Sequence, residues 1–132
     1  MRIHRIRGDG NCLFASCGYH LKIKPCCLRT RVARVIRDYP SLLISEIPLS
    51  KWIEEAGYNP ETYARHISRS GVMGTGIELA IISILYRRTI RVHQVKDGRM
   101  TQIAEYFPEF GRPISLLFSG PSSAGHYDAL ID

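Results

Sequence analysis

The chain reads as an α+β fold in which helices mostly precede strands and flank a central, mostly antiparallel sheet. Three observations predict it. The first half carries apolar residues at helical spacing, as across Leu13 to Leu21 and at Val32, Val35 and Ile36. The second half alternates in the manner of strands, with a tight Lys96-Asp97-Gly98-Arg99 turn between two such runs. The 132 residues are 45% hydrophobic, enough for one core and too few for two, so a single domain over residues 1–132 is expected.

Taken in order, Met1 to Arg7 alternates like a short strand, and a glycine-containing loop then opens into an apolar helix over Cys12 to Leu21. Leu28 to Tyr39 is a second helix, with arginines between its apolar positions, and Pro40 ends it. Two further helices span Leu49 to Ala56 and Glu61 to Ser68. Gly57 closes the first; Asn59 and Pro60, a cap followed by a first-turn proline, open the second. A glycine turn precedes the buried helix Ile77 to Tyr86. Strands are expected over Thr89 to Val95, Met100 to Tyr106 and Ile114 to Phe118, with His126 to Ile131 closing the sheet. The loop from Pro121 to Gly125 is expected to be the most mobile segment near the site. There are no repeats, linkers or low-complexity segments.

The chemistry-bearing residues lie near the two ends. Cys12 follows Gly8-Asp9-Gly10-Asn11 at a helix start, where amide groups and the helix dipole favour an anionic sulfur. His126 and Asp128 lie two apart in a strand, so both side chains share a face and the carboxylate can orient the imidazole. The other candidates read as ordinary. Cys17 sits inside an apolar run and is expected in the core. Cys26 and Cys27 are adjacent, which is a poor chelating arrangement, and no metal or other cofactor is expected. His4, His66 and His93 belong to surface or half-buried positions. His20 is about two helical turns from Cys12, too far for a contact.

Charge offers a competing reading. The formal net charge is +6, with arginine clusters at Arg2, Arg5, Arg7, at Arg29, Arg31, Arg34, Arg37, and at Arg87, Arg88, Arg91. Such clusters could be a nucleic-acid footprint. They interleave with core positions and no aromatic stacking platform accompanies them, so solvated helix faces are the preferred reading and nucleic acid is not the expected partner. A basic surface can equally meet an acidic protein.

Three motifs together carry a resemblance. Gly8-Asp9-Gly10-Asn11-Cys12-Leu13-Phe14 resembles the nucleophile motif of the OTU (ovarian tumour) cysteine proteases. Met73-Gly74-Thr75-Gly76-Ile77-Glu78-Leu79-Ala80 is similar to that family's middle motif, and His126-Tyr127-Asp128-Ala129-Leu130 to its general-base motif. They occur in the family's order and span nearly the whole chain. One departure is Met73, where the family usually carries an aromatic residue. The resemblance implies a small papain-related fold with Cys12 as nucleophile, His126 as general base then acid, and Asp128 holding the imidazole. Asp9, Gly10 and Asn11 would shape an oxyanion loop, since an attacked carbonyl needs preorganised N–H donors. Gly8 and Gly10 would allow the unusual backbone angles of such a loop, and Asn11 could cap the helix that Cys12 begins.

The implied activity is a deubiquitinase, an isopeptidase cutting after the Gly-Gly end of ubiquitin or a ubiquitin-like modifier. Gly74, Thr75, Gly76 and Tyr127 are candidate walls of a narrow cleft for that tail. The tail is basic, which calls for an acidic groove residue, and Glu78 is the candidate. A non-catalytic ubiquitin-binding module is the alternative within the family, and the presence of all three triad residues argues against it. The lack of an apolar run of membrane-spanning length or of a basic-then-apolar leader gives the expectation of a monomer in the cytoplasm, the host's if the source is a virus or intracellular bacterium.

Overall fold

Two helices of this chain are apolar on nearly every side, and a helix of that kind belongs in the middle of a fold. In the computed structural model, which describes residues 1–121 and 124–132, they are α1 (Cys12–Leu21) and α5 (Gly76–Tyr86). Leu13, Phe14, Cys17, Leu79, Ile81 and Ile82 are all buried there. Around them lie the amphipathic α2 (Pro25–Asp38), α3 (Leu49–Glu55) and α4 (Pro60–Ile67). Pro25 and Pro60 each occupy a first-turn position, where a missing N–H costs nothing. Asn59 caps α4 by accepting the Thr62 N–H, and the Thr62 hydroxyl accepts the Asn59 N–H in return.

The helices pack on a five-stranded sheet. Its strands are β1 (Arg2–His4), β4 (Ile90–Lys96), β5 (Arg99–Tyr106), β6 (Ile114–Ser119) and β7 (His126–Ile131), in the order β1-β7-β6-β4-β5. Only β4 and β6 run parallel, so the sheet is mostly antiparallel. Two short strands, β2 (Leu43–Ile44) and β3 (Ile47–Pro48), form a separate ladder that the sequence did not announce. The Trp52 indole N–H pins it by donating to the Ile44 carbonyl at 3.0 Å.

Two expectations need correcting. The last strand does not close the sheet. It lies between β1 and β6, pairing Ala129 with His4 on one side and with Leu116 on the other, which is why Asp128, Ala129 and Leu130 are all buried. The arginines of α2 are not uniformly solvated either: Arg29 is buried, for reasons that belong to the site. Of the loop expected to be mobile, residues 122 and 123 lie outside the described residues. Among the described residues no helix is long and apolar enough to cross a membrane.

Candidate active site

The packing of α1 against β7 brings the two ends of the chain together. Cys12 is the first residue of α1 and His126 the first of β7. The Tyr127 N–H donates to the Cys12 sulfur at 3.5 Å, across 115 positions of sequence. The thiol therefore sits at the peptide joining His126 to Tyr127. Among the described residues no hydrogen bond joins the sulfur to the imidazole itself; such contacts often tighten only with substrate in place.

His126 and Asp128 share a face of β7, as period-two alternation requires, and His126 Nε2 lies 2.9 Å from Asp128 Oδ1. With Nε2 donating to the carboxylate, Nδ1 is left as the acceptor for the thiol proton. Gly8 passes that nitrogen closely enough that a Cβ there would stand 3.6 Å from it. Asp128 is itself held. The Ile6 N–H donates to Oδ1 at 2.8 Å and the Arg5 guanidinium approaches Oδ2 at 3.6 Å. Its side chain is 3% exposed against 29% for His126, so a desolvated carboxylate with three partners orients a ring that water and substrate can reach. Gly125 is required just before His126, since the Phe118 ring fills the space that a Cβ would take.

The loop before Cys12 departs from expectation in three respects. Gly10 has a φ of +84°, whereas Gly8 is not in the left-handed region; only Gly10 supplies unusual backbone geometry, and a Cβ on it would overlap the Gly71 carbonyl. Asn11 does not cap α1 with its side chain. Its Oδ1 accepts the Gly71 N–H and an Arg29 N–H, both at 2.8 Å, and its Nδ2 donates to Ser70. The Asn11 N–H is taken by Asp9 Oδ1 at 3.1 Å, while the Asp9, Gly10 and Cys12 N–H groups have no partner among the described residues.

Arg29 is the functional-site residue that sequence reasoning missed. It is 3% exposed, and its guanidinium donates to the Ile67 carbonyl at 2.8 Å, to Asn11 Oδ1 and, at 3.3 Å, to the Gly10 carbonyl. Its Cζ lies 4.3 Å from the centroid of the Phe14 ring. The residue clamps the loop before Cys12 to α2 and to the end of α4.

A cleft of about 710 Å³ opens at the start of α5, lined among others by Trp52, Thr75, Gly76, Tyr106, Glu105 and Glu109. Thr75 and Gly76 thus lie where a cleft was expected, while Gly74 packs against Leu13, the residue after the nucleophile. Tyr127 lines neither this cleft nor a second, basic one beside the nucleophile loop; its ring lies 5.0 Å from that of Phe118. Met73 is half-buried beside the glycine turn.

Glu78 is not a groove residue. It is fully buried as the third residue of α5, accepting from the Thr75 N–H and hydroxyl and, at 2.7 Å, from the Tyr63 hydroxyl. Burial pushes its carboxyl above the usual range, with these hydrogen bonds pulling the other way. The acidic groups that do face the cleft are Glu105, paired with Arg91 at 2.9 Å, and Glu109. Cys17 is fully buried, and burial alone pushes its thiol up to about 12, which leaves it inert.

A model of the OTU-like cysteine proteases matches residues 7–127 of the chain. No curated protein sequence matches it. Among solved structures, an ovarian tumour (OTU) domain in complex with ubiquitin is similar over 96% of this chain and 67% of its own, with a TM-score of 0.74 and 22% identity. An OTU deubiquitinase from Wolbachia pipientis wMel bound to ubiquitin aligns over 99% of this chain and 95% of its own, with a TM-score of 0.71 and 15% identity. The Hazara virus OTU bound to ubiquitin aligns over 98% and 80%, with a TM-score of 0.74 and 19% identity. At these identities the likeness is one of fold.

Proposed function

Because the chain belongs to the OTU-like cysteine protease family, we propose that it is a deubiquitinase, an isopeptidase that releases ubiquitin or a ubiquitin-like modifier by cutting after its C-terminal Gly-Gly. The observation that carries this reading is the convergence of Cys12, His126 and Asp128, with the sulfur on the Tyr127 amide and the imidazole on the buried carboxylate. Solved OTU domains of the same fold bound to ubiquitin support the substrate class.

In this reading His126 Nδ1 takes the Cys12 proton and the sulfur attacks the carbonyl carbon of the terminal glycine. The oxyanion that forms meets the free N–H groups of Gly10 and Cys12. Collapse expels the substrate lysine amine, which leaves with the proton from His126, and a thioester remains on Cys12. His126 then deprotonates a water that attacks the thioester, giving the modifier's free carboxylate and restoring the thiol. Asp128 holds the ring by its hydrogen bond to Nε2 throughout. The basic tail runs into the cleft at the start of α5, where Glu105 and Glu109 match its charge.

Hydrolysis of ubiquitin carrying a fluorophore on its C-terminus tests the proposal. Turnover by the wild-type chain and its loss in Cys12→Ala is the expected result. Turnover retained by Cys12→Ala overturns the assignment of the nucleophile, and no turnover of ubiquitin or any ubiquitin-like modifier by the folded chain overturns the activity.

A further inference from the structure

A second cleft, of about 550 Å³, adjoins the nucleophile loop and differs in chemistry from the first. One wall is the segment leading to Cys12, with Arg5, Arg7, Asp9 and Asn11; the other is the start of α2, with Lys24 and Arg29, closed off by Ser68 and Ser70. Four cations meet one carboxylate. Of the four, only Arg5 has an ion-pair partner among the described residues, and that partner is Asp128. Arg29 makes its hydrogen bonds to two neutral carbonyls and an amide oxygen, with the carboxylates of Glu78 and Asp9 near enough to favour its charged form. The cleft at the start of α5 has the opposite character, with Glu105 and Glu109 and no lysine or arginine among its lining residues.

The two clefts adjoin the segments on either side of Cys12 in sequence. Asn11, immediately before it, lines the basic one; Leu13, immediately after it, packs on Gly74 at the turn into the acidic one. A substrate cut at Cys12 extends in two directions, with the acyl group and its tail on one side and the amine and its polypeptide on the other. A basic tail is repelled by Arg7 and Lys24, which have no ion-pair partner among the described residues, and accepted by the cleft that holds Glu109 and the Arg91-paired Glu105. We infer that the basic cleft docks the amine side of the conjugate, and that it selects targets whose modified lysine is flanked by acidic residues. The inference rests on the isopeptidase reading above.

The absence of a stacking aromatic among the cleft residues favours an acidic polypeptide over a nucleic acid. Carboxylate side chains bring no bases to stack, and Ser70 at the rim, whose hydroxyl oxygen accepts from Asn11, keeps its O–H to donate to them.

The experiment uses two peptides linked through a central lysine to the ubiquitin C-terminus, identical except that one carries glutamates beside the lysine and the other lysines. Ubiquitin with a C-terminal fluorophore, which has no polypeptide on the amine side, reports the active site alone. The wild-type chain is expected to prefer the acidic conjugate in kcat/KM on the order of tenfold at low salt, through KM, with the preference shrinking as ionic strength rises. Arg7→Glu with Lys24→Glu is expected to abolish or reverse that ratio. Equal kcat/KM for the two conjugates, with the fluorophore substrate turned over, overturns this inference and leaves the isopeptidase reading standing. Failure to turn over the fluorophore substrate overturns that reading instead. Tight binding of single-stranded RNA that the double substitution abolishes, without any preference between the peptides, also overturns the inference and makes the cleft a nucleic-acid face.

Discussion

Removing the charge of Arg29 while keeping its stem is the sharpest structural perturbation this site offers. In Arg29→Met the side chain still packs on Phe14, but the Ile67 carbonyl and Asn11 Oδ1 each lose a 2.8 Å partner, and the Gly10 carbonyl loses a longer one. Two strong charge-assisted bonds contribute about 1.5–3 kcal/mol each, and the relief of no longer burying a cation offsets much of that. The weaker bond to Gly10 and the cation–π contact add roughly 0.5–1 kcal/mol each. A net loss of about 2–4 kcal/mol follows, which in a domain of this size lowers Tm by roughly 6–16 °C. Thermal unfolding followed by circular dichroism measures it. Well below the variant's Tm, two activities separate: alkylation of Cys12 by iodoacetamide, which forms no oxyanion, should stay near the wild-type rate, while kcat for modifier release should fall at least about tenfold because the Gly10 amide is no longer held in place. A Tm within about 2 °C of wild type, or normal kcat with a lowered Tm, refutes the reasoning, the first for the clamp and the second for its link to the oxyanion loop.

Further outcomes follow from the same geometry. Gly10→Ala places a side chain at φ +84° against the Gly71 carbonyl and should cost at least about 2 kcal/mol, measured by chemical denaturation; a neutral effect contradicts the close approach of these two loops. His126→Ala should reduce kcat/KM more than Asp128→Ala, since the imidazole moves the proton and the carboxylate only holds the ring, and equal losses contradict this division of roles. Burial holds the Glu78 carboxyl above its usual range, so the folded state binds more protons than the unfolded one and the wild-type chain loses stability as pH rises from the ordinary carboxylate value. Glu78→Gln lacks that slope. Its Tm relative to wild type should therefore rise as the pH is taken upward from the ordinary carboxylate value; a difference that does not change with pH rejects the buried titration.

Helix α1 and strand β7 are readable to the residue, because each is preceded by a glycine-containing loop, α1 is one continuous apolar run of helix length, and β7 is the last strand-like run of the chain. Local spacing makes Cys12, His126 and Asp128 candidates, and the resemblance of the three motifs singles them out. Helix α2 begins at Pro25, three residues earlier than its apolar pattern starts, since Cys26 and Cys27 are exposed and add nothing to the periodicity. The β2–β3 ladder is two residues per strand and has no period to detect; it exists because Trp52 holds it. The burial of Glu78 does have a local signal: a threonine three residues before a glutamate, ahead of an apolar run, is a capping box and places the glutamate back toward the start of its own helix, not out into a groove. Arg29 does carry a local signal: it stands three, four and seven residues before Val32, Ala33 and Ile36, on the buried stripe of α2, whereas the exposed Arg31, Arg34 and Arg37 lie off that stripe. Its partners Gly10, Asn11 and Ile67 are brought together only by the tertiary fold.

The central claim is that Cys12 attacks the modifier's C-terminal carbonyl. Its most direct test is incubation of the chain with ubiquitin bearing an electrophile in place of the C-terminal carboxylate, followed by intact mass and peptide mapping. One adduct is expected, on the peptide containing Cys12, absent in Cys12→Ala although the exposed Cys26 and Cys27 remain. An adduct on Cys26 or Cys27, or none on folded protein whose Cys12 still reacts with iodoacetamide, would contradict it.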